Sequence, residues 1–99
     1  MVHQIIFKKR FQNKLEKLLV YIEQKFGLLV AKKFADVLDN KLTTLQRYPF
    51  IGQQSTSHKN VRSIIVGNHN RLYYRIVNDK LIVLNMYDTR INPIKNRLK

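Results

Sequence analysis

The sequence predicts an α+β domain of two layers, a long antiparallel helical hairpin packed on a small, mainly antiparallel sheet, in the order β-α-α-β-β-β. Three observations lead there. Two adjacent segments carry apolar residues at spacings of three and four, later segments alternate with a period of two, and a short β-branched run opens the chain. At 99 residues the chain supplies one domain and one core, spanning residues 1–99 with a basic tail from about residue 88. A hydrophobic content of 44% is too high for a disordered polycation, so the chain folds.

The first seven residues read as a strand, because Val2, Ile5, Ile6 and Phe7 are β-branched or aromatic and the run is short. Phe11, Leu15, Leu18, Leu19, Ile22 and Phe26 then fall on one helical stripe, with Lys14, Glu16, Lys17, Glu23 and Lys25 elsewhere around the cylinder. Gly27 is the expected stop, as a left-handed C-terminal cap. Ala31, Phe34, Leu38, Leu42 and Leu45 define a second stripe. It ends near Tyr48, since Pro49 disfavours helical geometry in the residue before it.

Residues 49–60 carry Pro, Gly and polar side chains without a period and read as a loop. Val61 to Val66 is a β-branched run, Asn68-His69-Asn70 is turn-like, Arg71 to Val77 alternates, Asn78-Asp79 signals a hairpin, and Lys80 to Tyr87 alternates again. This is a three-stranded meander. Leu72, Tyr74 and Ile76 share one face of its middle strand, and Arg71, Tyr73 and Arg75 share the other. The sheet is therefore expected to bury one face under the helices and expose a basic, aromatic one. The tail from Asp88 to Lys99 is basic and interrupted by Pro93.

Nineteen Lys and Arg against 6 Asp and Glu give a net charge of +13, and the excess is unevenly placed. From Asn40 through Asn78 there is no acidic residue, while Lys41, Arg47, Lys59, Arg62, Arg71 and Arg75 lie in that interval. Such a field attracts phosphate polymers or acidic proteins. The absence of cysteine rules out disulfides and thiolate metal sites. His3, His58 and His69 lack metal-ligand spacing, so neither a metal nor a cofactor is expected. The apolar runs are too short to span a membrane, and the N-terminus lacks the pattern of a signal peptide, which favours a cytoplasmic protein. No phosphate-cradling glycine loop, nucleophile elbow or basic recognition helix is evident.

The segment Leu45-Gln46-Arg47-Tyr48-Pro49-Phe50-Ile51-Gly52, the strand Arg71-Leu72-Tyr73-Tyr74-Arg75-Ile76, and Asp88-Thr89-Arg90-Ile91-Asn92-Pro93 after the last strand lie in the order and spacing of a known family. Over nearly its full length the chain resembles the RelE/ParE superfamily of toxins from type II toxin–antitoxin systems. The resemblance implies a growth-inhibiting toxin of a plasmid-stabilisation-type module, neutralised by a cognate acidic antitoxin whose C-terminal segment wraps it. RelE-like members cut messenger RNA in the ribosome, and ParE-like members poison DNA gyrase.

RNA cleavage through the 2′-hydroxyl needs a proton acceptor, cations to stabilise the phosphorane, and an acid for the leaving oxygen. The resemblance to RelE implies Arg62, Arg71 and Arg90 as phosphate-stabilising cations, for which planar guanidinium donors are suited. The second basic position of that pattern falls on Ile64, and its C-terminal tyrosine falls near Asn96. These two departures favour the ParE-like, non-nuclease branch, with His69, Asp88 and Tyr87 as the nearby groups able to substitute in a nuclease. Tyr73, Arg75, His69 and Asp88 are expected to form a target or antitoxin surface. The bland alternatives are a solvated turn for His69, a local ion pair for Asp88 and Arg90, and sheet-face solvation for the strand arginines.

Overall fold

The computed structural model describes Val2 and residues 4–89. Its elements are β1 (Gln4–Phe7), α1 (Lys9–Phe26), α2 (Leu28–Arg47), β2 (Gln53–Gln54), β3 (Val61–Val66), β4 (Asn70–Val77) and β5 (Lys80–Asp88). The strands form one sheet in the order β1-β5-β4-β3-β2. Every neighbouring pair is antiparallel except β1 and β5, which run parallel from Gln4↔Lys80 to Phe7↔Val83. The helical hairpin is what permits this: a parallel neighbour requires a long crossover rather than a tight turn.

Gly27 alone separates the two helices. Its φ of 96° and ψ of 165° lie in an extended, positive-φ region open essentially to glycine, not in the left-handed cap the sequence suggests. In this conformation Gly27 closes one helix and opens the next. Its N–H donates to the Glu23 carbonyl, and its own carbonyl accepts from the Ala31 N–H.

The core lies between the hairpin and one face of the sheet. Phe11, Leu38, Leu42 and Leu45 from the helices meet Leu72, Tyr74, Leu81 and Val83 from the strands, all buried. Burying side chains of this size stabilises by about 1.5–3 kcal/mol each, which drives both periodic patterns to one interface. The far end of the hairpin is different. Phe26 extends the predicted apolar stripe but is 59% exposed, and Leu28, Leu29 and Val30 beside it are also exposed.

Two features depart from the sequence reading. Within the expected loop, Gln53 and Gln54 pair with Ser63 and Arg62, adding β2 to the edge of the sheet. In β5, register shifts between Tyr73↔Asn85 and Tyr74↔Val83, leaving Leu84 as the extra residue of a bulge. Strict alternation would place Leu81, Val83, Asn85 and Tyr87 on one face. The bulge reverses the parity, sends Met86 into the core, and brings Tyr87 round to the face of Tyr73.

Candidate functional site

The segment after α2 is held by two residues from the meander. The Tyr74 hydroxyl donates to the Pro49 carbonyl at 2.8 Å and accepts from the Gly52 N–H at 3.0 Å. Gly52 is glycine because a Cβ there would collide with that hydroxyl and stand 2.8 and 2.9 Å from Cε1 and Cζ of the same ring. Burial raises the Tyr74 pKa above its ordinary 10.0, although the Gly52 hydrogen bond and the Arg62 charge oppose the shift. Arg62 completes the clamp. Its Nη1 donates to the carbonyls of Phe50 at 3.1 Å and Gly52 at 2.9 Å, and the guanidinium stands over the Phe50 ring at 5.3 Å. The spacing Leu45-x-x-x-Pro49-x-x-Gly52 thus has a mechanical reading. Leu45 anchors the helix end in the core, while Pro49 and Gly52 engage a buried tyrosine. Tyr48, Phe50 and Ile51 are left exposed on a rigid backbone.

Arg62 therefore does not join the other strand arginines. It is paired with Tyr74, on the helix-covered face, whereas Arg71 and Arg75 lie opposite Ile65 and Val61 on the outer face. Sheet-face solvation, the plain alternative for the strand arginines, does not hold for Arg62, because its side chain follows the buried parity of Tyr74 and finds acceptors in the clamped loop.

On the outer face the structure brings together Arg71, Tyr73, Arg75 and Tyr87. Arg71 Nη1 donates to Ser63 Oγ at 2.9 Å. Tyr73 and Tyr87 meet edge to face with ring centroids 5.7 Å apart. Asn85, buried beside them, donates from Nδ2 to the Tyr87 hydroxyl at 3.1 Å. Lys14 reaches the same place from α1, with Nζ 4.1 Å from the Tyr87 ring centroid. Its pKa is lowered, first by burial and then by the Arg10 charge one turn earlier.

His69 and Asp88 adjoin this cluster at its Lys14 and Tyr87 end. His69 is exposed in the β3–β4 turn, where its carbonyl accepts from the Thr89 N–H at 2.6 Å. Asp88 pairs in register with Asn70, on the helix-facing side, and lines a hollow with His69 below the end of α1. Arg90 falls outside the described residues, as do His3 and Asn96.

The start of α1 was not among the expected site residues. Lys8, Lys9 and Arg10 line a cavity of about 470 Å³ together with His58, Val61, Arg75, Leu84 and Asn85. The run of three cations is plain in the sequence, but nothing local says that it faces Arg75. Among the described residues no group of three or more His, Asp or Glu is placed to hold a metal ion. No helix there is long and apolar enough to cross a membrane.

The fold is a small α+β domain in which a buried tyrosine and an arginine clamp the segment after the helical hairpin. Residues 5–91 match the family described as the ParE toxin of the type II toxin–antitoxin system, parDE, and the chain belongs to that family. Membership implies an antitoxin partner. Among solved structures, a chain of the chromosomal ParDE system from P. aeruginosa is similar with a TM-score of 0.74 and 14% identity, over 89% of this chain and 96% of that one. A copper-bound mutant toxin from Helicobacter pylori follows with a TM-score of 0.66 and 23% identity, over 91% of this chain and 97% of that one. The E. coli toxin RelE, as a mutant in the free state, has a TM-score of 0.64 and 16% identity, over 96% of this chain and 92% of that one. At these identities the likeness is one of fold. No curated protein matches in sequence.

Proposed function

We propose that this chain is a growth-inhibiting toxin of a plasmid-stabilisation-type module that acts in the cytoplasm by binding DNA gyrase and is silenced by an acidic antitoxin. The observation that carries the gyrase reading is the position of Arg62. A nuclease centred on Arg71 would use Arg62 as a neighbouring phosphate clamp, yet Arg62 occupies the opposite face with Nη1 committed to the carbonyls of Phe50 and Gly52. What that commitment produces is a preorganised apolar surface, Tyr48, Phe50 and Ile51, of the kind that anchors protein recognition.

A second reading, the RelE-like ribosome-dependent endoribonuclease, is favoured by the outer face, where Arg71 and Arg75 flank the Tyr73–Tyr87 pair. In that reading Tyr73 stacks on a base, Arg71 and Arg90 stabilise the phosphorane, and His69 or Asp88 moves the proton. Under the gyrase reading Tyr73 and Arg75 instead meet the antitoxin, with His69 and Asp88 at the rim of the same contact. Neither reading calls for a metal or a cofactor.

The test is direct. Purified protein is added to gyrase with supercoiled DNA and, separately, to a reconstituted translation system. Gyrase-dependent DNA breaks with intact message support the first reading. Codon-specific message cleavage that is lost in Arg71→Ala and Arg90→Ala overturns it in favour of the second.

A further inference from the structure

We propose that the basin between the start of α1, the β2–β3 loop and the outer face of β4 and β5 is a binding site for linked phosphates. Its basic side chains come from three separate parts of the chain: Lys8, Lys9 and Arg10 from the start of α1, His58 from the loop, and Arg75 from β4. Among the described residues no carboxylate lines it. Folding thus gathers like charges that the extended chain keeps apart, and the described lining sets no anion beside Lys8, Lys9 and Arg75. The chain has acids to offer but places them elsewhere. Glu16, Asp36 and Asp39, half of its 6 carboxylates, line the apolar groove between α1 and α2 instead.

The chemistry of the lining selects the ligand. Lys8, Lys9 and Arg75 together exceed what a single phosphate ester neutralises, whereas two or three linked phosphates match them, the lysines as point charges and the arginine through paired planar donors. The floor is not bare charge. Val61 and Leu84 give it apolar surface, Asn85 a side-chain amide, and a volume of about 470 Å³ holds a group of nucleotide size. The Leu84 bulge is what makes this floor, because it turns Asn85 to the side of Arg75. Lys14 and the Tyr73–Tyr87 pair continue the same face beyond the basin, a surface on which a base or sugar attached to the phosphates can rest. Such phosphates reach the site either as a free nucleotide or as a nucleic-acid backbone. The site does not depend on which target the toxin attacks, so it stands or falls separately from the gyrase reading.

The full chain is titrated calorimetrically at about 0.15 M salt, where diffuse attraction is screened beyond about 8 Å, with sodium tripolyphosphate as the probe. The expected result is saturable binding with one ligand per chain. The triple variant Lys8→Gln/Lys9→Gln/Arg75→Gln should weaken it at least tenfold. Removing the same charge from α2, as Lys32→Gln/Lys33→Gln/Lys41→Gln, should change it less than twofold. Equal losses in the two variants, or no saturable binding by the unaltered chain, overturn the site. Amide shift mapping on the unaltered protein provides a check that needs no variant to fold. Shifts centred on residues 8–10, 58, 75, 84 and 85 support the basin, and shifts centred elsewhere overturn it. ATP and octathymidylate, each competed against tripolyphosphate, distinguish the source: tighter ATP supports a free nucleotide, and affinity that grows with oligonucleotide length supports a backbone.

Discussion

Replacing Tyr74 by phenylalanine deletes one oxygen and leaves the ring in the core, yet two buried backbone groups depend on that oxygen. The Gly52 N–H and the Pro49 carbonyl lose partners at 3.0 and 2.8 Å. A buried group left unpaired costs about 1–3 kcal/mol. The expected loss for the two groups is about 2 to 6 kcal/mol, a large part of the 5–15 kcal/mol that holds a typical domain folded. At roughly 4–8 °C per kcal/mol for a domain of this size, the melting temperature should fall by at least about 8 °C. Urea denaturation followed by circular dichroism measures the free-energy loss, and a thermal melt the shift in Tm. The pH dependence adds a second signature. The folded pKa of Tyr74 lies above 10.0, so the folded state keeps a proton that the unfolded chain releases. Its contribution is complete below pH 10.0 and is lost as pH rises through the folded pKa. Tyr74→Phe should therefore flatten the alkaline limb of the stability curve. A variant within about 0.5 kcal/mol of the unaltered protein, the range of an ordinary surface change, would refute the role of Tyr74 in the clamp.

Three further outcomes are expected. Gly27→Ala meets no neighbouring atom within 4 Å but forces a Cβ residue to φ 96°, so it should cost about 1–3 kcal/mol through backbone strain alone, read from the urea midpoint. Lys14→Met keeps the stem and removes a charge that the fold disfavours. It should raise stability at neutral pH, and the advantage should shrink as pH approaches 10.5 and Lys14 itself deprotonates, followed by thermal melts across pH. Association with the acidic antitoxin should slow steeply as salt rises, because a +13 chain steers the encounter; a flat response in stopped-flow binding would remove charge steering from the account.

How far sequence reasoning reaches differs from element to element. The helical stripes and the alternation in β4 follow from local apolar spacing, and Phe11, Leu38, Leu72 and Tyr74 are buried where that spacing puts them. Phe26 satisfies the same pattern and is exposed, at the edge of a hollow that separates the end of α1 from Met86 and Tyr87. In the candidate site, Arg71, Tyr73 and Arg75 share the outer face as alternation requires. Arg62 does not join them. The register of β3 against β4 assigns it to the face of Tyr74, and the carbonyls it finds there belong to a loop ten residues or more away in sequence.

By itself the sequence determined the order of the elements, the two faces of β4, the excess of positive charge and the family likeness, because each is written in local composition and period. Only the tertiary structure decided that β1 lies beside β5, that a bulge at Leu84 turns Tyr87 toward Tyr73, and that Lys8, Lys9 and Arg10 converge with Arg75. The physical reason is common to all three. Burial of apolar surface chooses the chain path, and the polar groups are carried to wherever that path leaves them. Charges separated by more than sixty residues meet in one basin through packing on the opposite face of the sheet.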